Sequence, residues 1–213
     1  MSKAKNLKEE VIDHIQKQIK FGAIQPGDII NEVALSNELN VSRTPAREAL
    51  LQLVANNILE KVPRKGYTPL KFSKKQKDNI HSIIGALDAL AAILAMEHLT
   101  DQDLMKMREI VDKLDIAIRY KNYEDYFSLQ EDFHNIYIDK CDNPPLIEML
   151  NTIRSGPIQY TYTNEDMDKL FVILAESNDQ HRKIIDLFER KDGAELEKYL
   201  KYTHWHTFYP EFI

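Results

Sequence analysis

The chain has little of what marks secreted, membrane-spanning or nucleotide-cradling proteins. Cys141 is the one cysteine among 213 residues, which excludes an internal disulfide and fits a reducing, cytoplasmic compartment. Six glycines and eight prolines form no low-complexity tract, and no Gly-rich phosphate loop is among them. No apolar run approaches the length of a membrane span. Met1-Ser2-Lys3-Ala4-Lys5 leads straight into polar helix rather than into an apolar signal segment. What remains is ordinary globular material, 43% hydrophobic and 29% charged, in a length that suits two domains. We place them at residues 1–72 and 73–213.

Charge separates the same two parts. The net charge is −6, but residues 1–72 hold 11 Lys+Arg against 8 Asp+Glu, whereas residues 73–213 hold 17 against 26. Phosphate binding needs a local basic surface, not a basic whole, so the division permits a nucleic-acid partner for the first part.

In that first part, Val11, Ile12, Ile15 and Ile19 recur at helical spacing and predict a helix from about Leu7 to Phe21, ended by Gly22. Gln25-Pro26-Gly27-Asp28 reads as a tight turn. Asn31 is a cap for a short second helix with Val33, Ala34, Leu35 and Leu39 as its apolar positions, and Asn40 suits a left-handed turn. A third helix is expected to begin near Thr44, with Pro45 at its first position. Ala46, Ala49, Leu50 and Leu53 form its buried stripe, with Arg43 and Arg47 flanking its start beside Ser42 and Thr44. Ile58 to Thr68 reads as two short strands around the basic turn Arg64-Lys65-Gly66. Three helices followed by a basic-tipped hairpin are a winged helix-turn-helix. Any one arginine here reads better as a solvated surface charge. Basic residues at both the helix start and the hairpin tip, which face DNA together in this architecture, point to DNA.

The run Phe21-Gly22-Ala23-Ile24-Gln25-Pro26-Gly27-Asp28, then Leu39 to Leu50, then Pro63-Arg64-Lys65-Gly66-Tyr67, resembles the N-terminal domain of the GntR transcription regulators. The resemblance implies that Arg43 and Arg47 contact bases and phosphates with help from Ser42 and Thr44. It implies too that Arg64, Lys65 and Gly66 approach the minor groove. One departure is Val33, where several relatives carry an arginine.

Residues 73–213 show helical periodicity throughout and predict an all-α bundle of about six helices. Ile80, Ile83, Ile84, Leu87, Leu90, Ala91 and Leu94 line the first of them, and Thr100 or Asp101 caps the second. The fourth is interrupted near Gly156-Pro157, and the sixth runs from Asp192 to about His206. Tyr126, Phe127, Tyr137, Tyr160 and Tyr162 read as core or as the lining of a site for a bulky effector. Three helices of a bundle can direct His134, His181 and His204 into one interior site, although a lone histidine on each is more often surface or satisfied core.

Ala86-Leu87-Asp88, Asp132-Phe133-His134 with Asn143-Pro144, and His181 to Ile185 with Asp192 resemble the FCD domain of the FadR subfamily. That resemblance implies a small-molecule effector such as an organic acid and a divalent zinc or nickel ion, while a homodimer on a palindromic operator is expected because the winged domain reads a short half-site. The ion would be held by an aspartate four residues before His134, by His134 and His181, and by a later histidine. Here the aspartate position is Gln130. Counting without a gap puts the last histidine position at Thr203, one residue short of His204, and a shift near Lys191-Asp192-Gly193 would restore His204. The arginine that clamps the effector in several relatives is Ile84. The expectation is therefore a repressor-type regulator with a degraded or remodelled metal site. Two further readings stand beside it. One is a metal-dependent enzyme in the bundle, for which Glu131 and Asp132 do not share a helix face with His134 and no nucleophile–base pair is visible. The other is a ligand-independent architectural DNA binder.

Overall fold

The computed structural model describes residues 6–154 and 167–205. Gly156, Pro157, Tyr160, Tyr162 and His206 lie outside the described residues. The described chain falls into two compact units, one ending at Ser73 and one beginning at Lys74.

The first unit begins with α1 (Leu7–Lys20). Asn6 caps it: the carboxamide accepts from Lys8 N while the Glu9 carboxylate accepts from Asn6 N. Val11, Ile15 and Ile19 point inward from α1, and Gly22 ends the segment at φ 74°. Asn31 accepts from Val33 N and Ala34 N at 2.9 and 3.2 Å to start α2 (Glu32–Glu38). Asn40, at φ 51°, turns the chain into α3 (Arg43–Ala55). This helix starts earlier than the sequence suggests: Ser42 is its N-cap, and Pro45 is the third helical residue. Its missing N–H is still one of the four without an intrahelical partner, so the longer helix accepts it. Val33 and Ala34 are exposed rather than core. Strands β1 (Leu59–Val62) and β2 (Gly66–Pro69) pair antiparallel, and Ile30 bridges to Tyr67 beside them. Val11, Ile15, Leu35, Ala46, Ala49, Leu50, Leu53, Leu59 and Tyr67 meet in one core. Full burial of a leucine such as Leu50 or Leu53 contributes roughly 1.5–3 kcal/mol.

The second unit contains α4 (Lys74–Ala95), α5 (Asp101–Arg119), α6 (Tyr123–Ile138), α7 (Pro144–Arg154), α8 (Met167–Glu189) and α9 (Gly193–Tyr199), which runs into a π-helical turn, Leu200–His204. Thr100 and Asp103 form a capping box for α5, and the Asn122 and Asp192 side chains cap α6 and α9. Helix α4 packs against α6, α7, α9 and the π turn, and α5 packs against α6 and α8.

Helix α4 is long and apolar enough to cross a membrane by length and composition alone. Its position in the bundle accounts for that composition. One side buries Ile84, Gly85, Asp88, Ala89, Ala91, Ala92 and Ala95 against the bundle. The sequence pattern suggests one apolar stripe; the helix has two, because Ile83, Leu90 and Leu94 are exposed and Ile80 and Leu87 half-buried.

Candidate functional site

In the first unit, Ser42, Arg43, Thr44 and Arg47 are all exposed at the start of α3, while Ala46, Ala49, Leu50 and Leu53 of the same helix are buried. Arg43 and Arg47 are four residues apart and so share a face. The first turn of α3 carries no acidic side chain, and Ser42 makes no side-chain capping bond, so its hydroxyl is not committed to the helix. At the hairpin tip Arg64 and Lys65 are exposed, Arg64 at φ 65°, and Lys65 N closes the turn onto Val62 O at 3.1 Å. Gly66 answers a different demand. Its φ is 142°, and a Cβ there would stand 2.4 Å from Ile30 O, the carbonyl that accepts from Tyr67 N at 3.0 Å. Glycine at 66 lets the Ile30 backbone reach the hairpin and so fixes where Arg64 and Lys65 stand.

In the second unit the structure brings His134 of α6, His181 of α8 and His204 of the π turn together. One ligand nitrogen from each lies within 4.8 Å of the others. His134 and His181 are completely buried. The chain settles which nitrogen each ring offers. Burial and the neighbouring Asp88 carboxylate push the Tyr137 hydroxyl pKa well up, so the phenol keeps its proton. It donates that proton to Asp88 at 2.7–2.9 Å and accepts from His134 Nδ1 at 2.6 Å. Asn178 uses its Nδ2 hydrogens on Val111 O and Asp115 Oδ1, at 3.1 and 2.8 Å. Its oxygen is left to accept from His181 Nδ1 at 3.3 Å. His204 Nδ1 donates to Gln180 Oε1 at 3.0 Å. All three rings thus carry hydrogen on Nδ1 and present an Nε2 lone pair.

Those lone pairs have no hydrogen to meet. His181 Nε2 is buried without a hydrogen-bond partner, and His134 Nε2 stands 3.2 Å from His204 Nε2. Two imidazole nitrogens at about 2.0–2.1 Å from a tetrahedral zinc stand roughly 3.3 Å apart, so the His134–His204 spacing fits a shared cation, with a His181 nitrogen within 4.8 Å of both. Burial lowers the His181 pKa well below its usual value and pushes His204 down to about 3, and a proton on a neighbouring ring of the cluster would lower both further. Both are therefore neutral near pH 7, the form a metal takes. Asp88 is also fully buried. Burial alone would raise its pKa, but His134 and the hydrogen bonds from Trp205 and Tyr137 outweigh that and hold it below its usual value.

The expected metal set is thus partly assembled. Gln130 occupies the helix position four before His134 and brings no carboxylate; among the described residues the cluster is three histidines. Thr203 is exposed and lies outside the cluster, which corrects the gapless count. Helix α9 starts regularly at its Asp192 cap, and the one-residue offset is taken up instead by the π turn, where Trp205 N donates to Leu200 O at 3.2 Å. Ile84 is buried core, not a clamp. From sequence, Tyr137 reads only as core or effector lining and Asp88 only as part of the family resemblance, and Asn178, Gln180 and Trp205 carry no assigned role. The signal for two of them is helical spacing: Tyr137 and Asn178 lie three residues from His134 and His181. Sequence reasoning also passes over Arg154 of α7, 8% exposed, which donates to Asn135 Oδ1 at 3.0 Å and whose charge reaches Tyr137.

Comparison with known proteins agrees with both units. Residues 7–68 match the bacterial regulatory proteins of the gntR family, and residues 79–203 match the FCD domain. The HTH-type transcriptional regulator McbR of Escherichia coli K12 is 33% identical over 156 residues, covering 72% of this chain and 71% of that protein. The HTH-type transcriptional repressor RspR of the same organism is 24% identical over 190 residues, covering 89% and 82%. The solved structure of E. coli McbR/YncC superposes with a TM-score of 0.75 at 29% identity over 92% of both chains. A GntR regulator from Rhodococcus sp. RHA1, at 15% identity and TM-score 0.72 over 93% of both chains, shares the fold. These relatives are transcription regulators and not enzymes. The chain belongs to the GntR family of DNA-binding transcription regulators, in the branch whose helical part is an FCD domain.

Proposed function

We propose that the protein is a homodimeric, cytoplasmic repressor that reads a palindromic operator and responds to a small organic acid held beside a divalent cation. Ser42, Arg43, Thr44 and Arg47 meet the major groove, and Arg64 and Lys65 reach the flanking minor groove, with Gly66 shaping the wing that carries them. The first unit of each protomer reads one half-site, and two copies on a palindrome supply the affinity. Support for the second copy comes from α4. Its exposed stripe, Ile83, Leu90 and Leu94 with half-buried Ile80 and Leu87, alternates spacings of three and four, the pattern of a helix seam.

The observation that carries the sensor reading is the convergence of three buried-side Nε2 lone pairs with no hydrogen among them. A zinc or nickel ion bound by His134, His181 and His204 supplies a Lewis-acid position for a carboxylate oxygen. Neutral Gln130 leaves the ion's positive charge undiminished, which favours an anionic ligand. Buried Arg154, which among the described residues donates to the neutral Asn135 side chain, adds a second cation for the same acid. The effector then favours one arrangement of the dimer over another and changes how both halves fit DNA.

The test is fluorescence anisotropy on an operator duplex, with protein stripped by chelator, reloaded with zinc, and reloaded in the presence of mono- and dicarboxylic acids. Operator affinity that shifts only when zinc and an acid are both present supports the reading. Identical affinity in all three states overturns the coupling.

A further inference from the structure

Trp205, the one tryptophan in the chain, ties the π turn to α4 at two points and closes the turn on itself at a third. Its Nε1–H donates to buried Asp88 Oδ2 at 2.7 Å. Its Cβ lies over Gly85, where an added Cβ would come within 2.9 Å of it and 3.5 Å of Leu200 O. Its backbone N–H closes the turn on Leu200 O. The indole also sits 5.3 Å from the His134 ring and 5.4 Å from the His204 ring. Asp88 therefore holds two things at once: Tyr137, which fixes His134, and Trp205, which follows His204 directly.

We propose that Trp205, seated on Gly85 and bonded to Asp88, is the latch that holds the π register and so brings His204 rather than Thr203 to the histidine cluster. Trp205 is a positioning residue: it leaves the cation to the three imidazoles and decides whether the third one arrives. A π turn has poorer intrinsic standing than a continuous α-helix, so an outside contact is needed to keep it, and the Asp88–Trp205 bond is that contact. Because a bound cation also holds His204 in place, cation binding and latch closure support each other, and the indole emission reports the site. The inference rests on the reading of the cluster as a cation site.

The experiment uses full-length protein stripped by chelator and titrated with zinc against a chromophoric competitor chelator, with indole emission followed in parallel. Trp205→Phe keeps a ring over Gly85 and removes the N–H; Gly85→Ala fills the socket. Each is expected to weaken zinc binding on the order of tenfold to a hundredfold, the range for groups that orient metal ligands, with unchanged far-UV circular dichroism. Thr203→His added to Trp205→Phe is expected to restore zinc affinity, because a turn relaxed to α register presents position 203; added to the wild type it changes little. A merely structural tryptophan would give no such rescue. Should Trp205→Phe not fold, Gly85→Ala with and without Thr203→His carries the same comparison. Zinc binding by Trp205→Phe and Gly85→Ala at wild-type strength overturns the latch alone. No zinc binding by the wild type overturns the latch together with the cation reading beneath it.

Discussion

His134 Nε2 and His204 Nε2 lie 3.2 Å apart, brought there by residues 70 positions apart in sequence, and each ring's hydrogen is already committed on its other side to Tyr137 and to Gln180. Two lone pairs at that distance repel unless a proton or a metal cation stands between them. Protein purified without added metal or an affinity tag is expected to contain about one divalent ion per chain by elemental analysis. His134→Ala and His181→Ala should each abolish it. Gln130→Asp, which returns an anionic oxygen to the same face of α6, should tighten zinc binding on the order of tenfold.

Stripped of metal, the helical unit should lose stability on mild acidification. His181 and His204 are held neutral in the fold, His204 down to about 3, and half-buried His81 down to about 4, whereas all three titrate near 6.5 when unfolded. Between those limits the unfolded chain binds more protons, so stability rises with pH there. Stability is full above about pH 6.5 and declines below it, with a limiting slope of about 1.4 kcal/mol per pH unit per group. Urea midpoints at pH 7.5 and pH 5 check this; equal midpoints would contradict the buried, neutral histidines.

The wing separates structure from contact. Gly66→Ala places a Cβ against Ile30 O at a backbone angle that other residues rarely adopt. It should destabilise the first unit by at least about 1–3 kcal/mol and take DNA binding with it. Lys65→Ala touches only an exposed side chain. It should leave the melting temperature unchanged while lowering DNA affinity and reducing the salt slope by about one.

Most of the first unit was legible from sequence because its signals are local. Asn31 as a cap, Asn40 in the left-handed turn and the stripe Ala46-Ala49-Leu50-Leu53 each follow from residues within one or two turns. The start of α3 was placed late because Thr44-Pro45 resembles a cap and first position, whereas Ser42 already supplies the cap. The second unit hid more. That α4 carries two apolar faces depends on which neighbours cover it, information that periodicity does not hold. The proton-fixing partners Asp88 and Gln180 sit on other helices from the histidines they orient, so no spacing rule reaches them. For the shift from Thr203 to His204 the sequence points to a loop change near Lys191, whereas the structure makes it with a π turn beside a contact between Trp205 and Asp88, which are 117 residues apart.

The exposed side of α4 predicts the assembly. Leu90→Glu or Leu94→Glu puts charge on a surface that the bundle does not use, so the fold should survive. Sedimentation velocity should show a wild-type dimer and a monomeric variant with unchanged helicity. A dimer in both would place the interface elsewhere.

The most direct test of the central claim is selection of duplexes from a random DNA pool by the purified full-length protein. The account predicts enrichment of a two-fold-symmetric sequence, bound by the wild type and weakened by about 1–3 kcal/mol in Arg43→Ala or Arg47→Ala where the side chain reads a base. A selected sequence without symmetry, or one that both arginine variants bind as tightly as the wild type, would contradict it.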